Sequence, residues 1–190
     1  GERADEGLLQ QVLGVGRDAG KAQANRVHRR AEGPVNDFMR PRVAAGCTPL
    51  VGAAVYLWHC DRDGKYSLYS VTNQNYLRGV QATDANGDVS FTSIFPACYS
   101  GRWPHIHFEV WSSVANAAAG TGKLRTSQLA LPKSASDAVF ATTGYSQSVT
   151  NFAQTSLTTD NVFSDGSSLQ TPTMSGSTST GFTANLTVPV

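Results

Sequence analysis

The stretch His105-Ile-His107-Phe-Glu-Val-Trp111 constrains the fold more than any other part of the chain. On a strand, successive side chains point to opposite faces, so His105 and His107 share one face, roughly 7 Å apart along the backbone. Ile106, Phe108 and Val110 take the other face and read as core. Tyr99 and Arg102 lie just upstream, in Pro96-Ala-Cys-Tyr99 and Arg102-Trp-Pro-His105. One face of one strand thus offers two imidazoles with a phenol and a cation close by, which are the makings of a metal site.

At 190 residues the chain suits one domain with a proper core. Its net charge of +1 demands no acidic partner. No apolar run approaches the ~20 residues of a membrane span, and the first thirty residues lack the apolar region of a secretory signal. Arg26, Arg29, Arg30, Arg40 and Arg42 do not read as a nucleic-acid patch, because Glu32 and Asp37 interrupt them and no aromatic ladder accompanies them. Cys47, Cys60 and Cys98 permit at most one internal disulfide; one bridge plus one buried free thiol is a plain expectation.

Strands are expected over residues 51–59, 66–71, 76–83, 89–95, 105–111 and 128–131. A last one is expected over 182–190, where Phe182, Ala184, Leu186, Val188 and Val190 alternate with polar residues. The turns Asp61-Arg-Asp-Gly64 and Asp84-Ala-Asn-Gly87 punctuate them. Short helices are expected near residues 8–13 and over 134–142, the latter capped by Ser134 or Ser136. Many short strands with few helices imply an all-β fold, an antiparallel β-sandwich. Residues 34–43 carry two prolines and no alternation, which disfavours a central strand there. The composition changes near residue 46, dividing the chain into an atypical segment, 1–45, and a β-sandwich domain, 46–190.

Two histidines are too few to hold a catalytic metal. The aspartates at 61, 63, 84 and 88 are better explained by turn chemistry than as ligands. Glu109 shares the histidines' face and is either a third ligand or, more simply, a solvated rim residue. Tyr66 and Tyr99 are stronger candidates. A neutral phenol, with its pKa near ~10, binds metal poorly, but a trivalent cation stabilises the phenolate. Two phenolates with two imidazoles suit ferric iron, whereas zinc favours thiolate and imidazole. On spacing alone each tyrosine, taken singly, is a packing residue. His59 reads as a buried, satisfied histidine, Trp58 and Trp111 as core, and Trp103 as a residue lining a substrate mouth.

Four blocks then resemble the intradiol ring-cleavage dioxygenases, the catechol and protocatechuate family. They are Cys47-Thr-Pro-Leu-Val-Gly-Ala-Ala-Val-Tyr-Leu-Trp-His-Cys-Asp-Arg-Asp-Gly-Lys-Tyr-Ser67, Tyr76-Leu-Arg-Gly-Val-Gln-Ala-Thr-Asp84, Phe91-Thr-Ser-Ile-Phe-Pro-Ala-Cys-Tyr99 and Arg102-Trp-Pro-His-Ile-His107. They fall in that family's order and spacing. Thr126-Ser-Gln-Leu-Ala-Leu-Pro132 and the Ser/Thr-rich tail resemble its secreted bacterial branch, so secretion is the expected location.

The resemblance implies a non-haem Fe(III) cofactor with Tyr66, Tyr99, His105 and His107 as metal ligands. It implies that Arg102 is the active-site arginine and Gln128 the active-site glutamine. The substrate would be a catechol-type ring and O2, and the product a muconate-type diacid formed by cleavage between the two hydroxylated carbons. In that scheme Tyr99 leaves the metal and takes up a substrate proton, Tyr66 stays bound, and Arg102 stabilises negative charge on the ring. No nucleic-acid or membrane partner is implied. Two rival readings stand beside this one: a β-sandwich binding module with impaired metal chemistry, and a different metalloenzyme using His105, His107 and Glu109.

Overall fold

The computed structural model describes the backbone of residues 40–45 and the whole of residues 48–190. Eight strands run in chain order as β1 (Arg40–Ala45), β2 (Thr48–Pro49), β3 (Ala54–Trp58), β4 (Arg78–Ala82), β5 (His105–Trp111), β6 (Lys123–Ala130), β7 (Thr173–Ser177) and β8 (Gly181–Pro189). Three short helices interrupt them, α1 (Val114–Ala118), α2 (Lys133–Phe140) and α3 (Ser146–Phe152). Among the described residues the strands form two sheets of order β2-β1-β8-β7 and β4-β3-β5-β6. Every pairing is antiparallel except that of β1 with β8. The all-β sandwich expected from the sequence is the observed fold.

The sheets meet over a shared apolar core. Val55 and Leu57 of β3, Ile106, Phe108 and Val110 of β5 and Leu129 of β6 pack with Phe182, Ala184, Leu186 and Val188 of β8. Alternation on β5 and β8 produces this directly, since every second side chain faces the opposite sheet. β5 is central in its sheet and buried along its whole length, on both faces. Its second face, which carries the two histidines and Trp111, meets Tyr56 and Trp58 of β3.

Several expectations are corrected. Residues 40–45 form a strand despite Pro41, lying between β2 and β8. The proline is tolerated because β2 pairs only with Ala44 and Ala45, so at Pro41 the pairing is with β8 alone. The sandwich therefore includes residues N-terminal to 46. Residues 66–71 are turns with one isolated bridge, Ser67 to Val71, and Leu68 there has a positive φ of 63°. Residues 89–95 form no strand either. Val89, Phe91 and Phe95 are buried while Ser90 and Thr92 are exposed, so the alternation is real but no ladder accompanies it. Neither serine caps α2: its N-cap is Pro132, and Ser136 Oγ donates instead to the Pro132 carbonyl at 3.1 Å. Cys60 and Cys98 are free, buried thiols, not a bridge with each other. Cys47, the helix expected near residues 8–13 and the arginines at 26, 29 and 30 lie outside the described residues.

Candidate metal centre

His105 and His107 are placed by the central strand of a sheet and are nearly inaccessible to solvent. The His105 ring is oriented by its Nδ1–H, which donates to the Trp103 carbonyl at 2.5 Å. That bond assigns the proton to Nδ1 and leaves a lone pair on Nε2. The His107 ring lies flat against Trp58, with centroids 4.8 Å apart and planes 10° from parallel.

Tyr66 arrives on the turn after β3. Asp61 organises that turn: its Oδ1 accepts from the amides of Asp63 and Lys65 at 3.0 and 2.9 Å, and its backbone carbonyl accepts from Gly64 at 3.2 Å. The expectation that Asp61 serves a turn is met. Gly64 has a φ of +77°, and a Cβ there would stand 3.0 Å from Cβ of Tyr99, so both conformation and close approach require glycine. Beyond the turn, buried Arg78 clamps the residue after Tyr66. Its Nε donates to Ser67 Oγ at 2.9 Å, its NH2 to the Ser67 carbonyl, and its NH1 to Tyr56 Oη at 2.9 Å.

Tyr99 arrives on the irregular segment leading to β5, and the helical layer pins that segment. Tyr145 Oη donates to the Phe95 carbonyl at 2.7 Å, Ser148 Oγ accepts from the Cys98 amide at 3.1 Å, and Asn151 Nδ2 donates to the Cys98 carbonyl at 2.8 Å. Ser148 and Asn151 lie on α3, which the sequence reading missed. Its polar, β-branched run Ser146-Gln-Ser-Val-Thr-Asn-Phe152 has no strong helical period.

These elements bring all four expected ligands together. Tyr66 Oη stands 3.2 Å from His105 Nε2, Tyr99 Oη 3.1 Å and His107 Nε2 3.2 Å. A single lone pair cannot serve three neighbours as a hydrogen-bond acceptor. Ligand atoms each ~2 Å from a common ion, by contrast, stand ~3 Å from one another. The donor set therefore fits a shared cation. Among the described residues no cluster of three His, Cys, Asp or Glu side chains supplies an alternative.

Electrostatics accord with this. Burial holds His105 near a pKa of about 4, with the Arg102 charge adding to the effect, and burial followed by His105 and Arg102 holds His107 well below its ordinary value. Both rings are neutral at physiological pH, and a neutral imidazole is the form that binds metal. Burial pushes the Tyr66 phenol far up, Cys60 and Tyr99 add to this, and Arg102 opposes it. Ionising that phenol needs a nearby cation.

Arg102 and Gln128 sit beside the cluster. Gln128 on β6 pairs with His107 across the ladder, and its Oε1 accepts from Arg102 NH2 at 2.6 Å. Arg102 Nε donates to Asp160 Oδ2 at 2.9 Å. Sequence reasoning missed Asp160. The one signal was that Asp160 is one of few acids, with Asp165, in a long stretch of Ser, Thr and apolar residues.

Other candidates fall elsewhere. Glu109 is neither a rim residue nor placed as a ligand. It is fully buried, and it accepts from Trp111 Nε1 and Lys123 Nζ, both at 3.1 Å, and from Thr126 Oγ1 at 3.4 Å. Trp103 does not line a mouth, because its ring is buried against Ala130, Phe152 and Phe163 with Nε1 bonded to the Leu131 carbonyl. His59 is buried and satisfied, as expected: Nδ1–H donates to the Cys60 carbonyl and Nε2 accepts from Ser93 Oγ, both at 2.7 Å.

Residues 39–118 match the model of a family described as Dioxygenase. The chlorocatechol 1,2-dioxygenase of Rhodococcus opacus is 39% identical over 54 residues, a stretch covering 27% of this chain and 21% of that protein. The match thus spans about a fifth of that relative. Among solved structures, an intradiol ring-cleavage dioxygenase from Tetranychus urticae superposes with a TM-score of 0.72 at 23% identity, covering 86% of this chain and 83% of its own. The dioxygenase domain of a carbohydrate-binding fusion from Streptomyces sp. SirexAA-E gives 0.57 at 23% identity, covering 86% and 85%. At these identities the structural likeness is one of fold. Residues 39–118 thus match a dioxygenase family model, and over most of its length the chain has the fold of intradiol ring-cleavage dioxygenases.

Proposed function

We propose that the chain is a ferric, non-haem intradiol dioxygenase that opens catechol-type rings between the two hydroxylated carbons and works outside the cell. Both atoms of O2 enter the product, one carbon–carbon bond breaks, and a muconate-type diacid forms. The observation that carries the reading is the convergence of two phenols and a second imidazole on His105 Nε2 within 3.1 to 3.2 Å.

Tyr66, Tyr99, His105 and His107 would hold the iron, which when bound would supply the charge that keeps the phenols ionised and favours a catechol in its doubly deprotonated, electron-rich form. The imidazoles present lone pairs because burial keeps them uncharged. Tyr99 Oη, on an irregular segment and half-buried, is the group to accept a catechol proton as the substrate enters. Arg102 keeps its positive charge at any working pH and stabilises negative charge developing on the ring. Two of its nitrogens are bound, Nε by Asp160 and NH2 by Gln128, and among the described residues no hydrogen-bond partner takes NH1. The Glu109 metalloenzyme reading loses its third ligand to Trp111, Lys123 and Thr126.

Phenolate bound to ferric iron absorbs visible light. The iron-loaded protein is expected to be coloured and to consume O2 with a catechol, and Tyr66→Phe should remove most of the colour. A colourless ferric-loaded protein, or products cleaved beside the two hydroxyls instead of between them, would refute the reading. Secretion is tested by finding the protein in the medium of its source culture.

A further inference from the structure

We propose that Asp160 is a positioning residue: one buried carboxylate that fixes the Arg102 guanidinium. The inference rests on the reading of the centre given above and assigns a role to a residue outside the family-matched stretch, 39–118.

Asp160 is wholly buried and accepts four hydrogen bonds. Oδ2 takes Arg102 Nε at 2.9 Å and the Trp103 amide at 2.7 Å; Oδ1 takes the amides of Val162 and Phe163 at 2.8 and 3.2 Å. The two Oδ1 bonds tie the carboxylate to its own turn, whose Phe163 packs against Trp103 and Ala130. The acceptor is therefore stationary. The two Oδ2 bonds reach the site. One grips the guanidinium at Nε while Gln128 grips it at NH2, so two bonds set its plane and no described residue binds NH1. The other fixes the backbone of Trp103, whose carbonyl receives the His105 Nδ1 proton. Arrangements of this kind, in which a partner behind a metal ligand or a charged group sets its orientation, govern how well the front group works. A buried ion pair is a poor source of stability compared with apolar packing, and this one joins the guanidinium beside the centre to an element 58 residues away.

The test is a double-mutant cycle joined to a measurement that needs no turnover. In the full-length chain, the Arg102 Nε–H seen by nitrogen-15 NMR should exchange slowly with solvent in the wild type and rapidly in Asp160→Asn. In the iron-loaded enzyme, Asp160→Asn should lower kcat about tenfold or more with KM changed less than about threefold, and the same substitution on an Arg102→Gln background should cost less than about threefold. Equal losses on both backgrounds, or an Nε–H as protected in Asp160→Asn as in the wild type, would overturn the proposal. Should Asp160→Asn fail to fold, Asp160→Glu carries the cycle, with a smaller loss expected only while Arg102 is present. A wild type inactive toward every catechol counts against the proposed function, while the exchange measurement still decides the Asp160–Arg102 pairing.

Discussion

Replacing His59 with glutamine should flatten the acid limb of the stability curve. His59 is sealed in the fold, and burial lowers its pKa from the ordinary 6.5 to about 4; the bond to the Cys60 carbonyl and the charge of Asp61 oppose this, and Arg78 adds to it. Above pH 6.5 the ring is neutral in both folded and unfolded chains and contributes nothing to pH dependence. Between 6.5 and 4 the unfolded chain binds a proton that the folded chain refuses, so stability falls as pH falls. A depression of this size corresponds to roughly 3 kcal/mol over that window. His59→Gln also loses the bonds to Ser93 and Cys60, a cost of about 1–3 kcal/mol that does not vary with pH. Urea unfolding of both proteins in half-unit steps from pH 7.5 to 4 separates the two effects. The wild-type advantage should shrink by roughly 3 kcal/mol across the window. His105 and His107 titrate in both proteins and cancel in the difference apart from their weak charge coupling to His59, the smallest of the causes acting on either ring. Two parallel curves, offset by a constant, would refute the reasoning.

Other outcomes follow from the same geometry. Glu109→Ala should destabilise the fold by about 3 kcal/mol in denaturant unfolding, since it strands Lys123 and Trp111 Nε1, yet leave iron content at the wild-type level; iron loss without destabilisation would make it a ligand after all. Gly64→Ala should cost about 1–2 kcal/mol from its positive φ alone and, through contact with Tyr99, shift the visible absorption of the ferric protein. The thiols of Cys60 and Cys98, both pushed up to about 12 by burial, should react with a thiol reagent at pH 8 only after unfolding, as a time course with and without denaturant would show.

How much was legible in the sequence depended on whether a pattern also implied a hydrogen-bonding partner. The strand His105–Trp111 has the expected bounds because its alternation coincides with a ladder on each side. Residues 89–95 alternate equally well but pair with nothing regular, since alternation reports which side chains are buried and not what the backbone meets. Pro41 misled in the other direction: a proline argues against a strand with two neighbours, and β1 has only one at that residue. The four candidate ligand residues were named through resemblance, whereas spacing alone left both tyrosines as packing residues. Asp160 was beyond reach, because its role depends on a fold contact that no local pattern encodes.

The centre is assembled from two kinds of support. Its imidazoles ride on a strand laddered on both flanks, while its phenols ride on turns held by a handful of side-chain bonds from Arg78, Ser148 and Asn151. Half of the cage is thus stiff and half compliant. Substitutions in the two turns can re-aim the oxygens without disturbing the sheet, which makes those turns the economical place for evolution, or an engineer, to retune the centre.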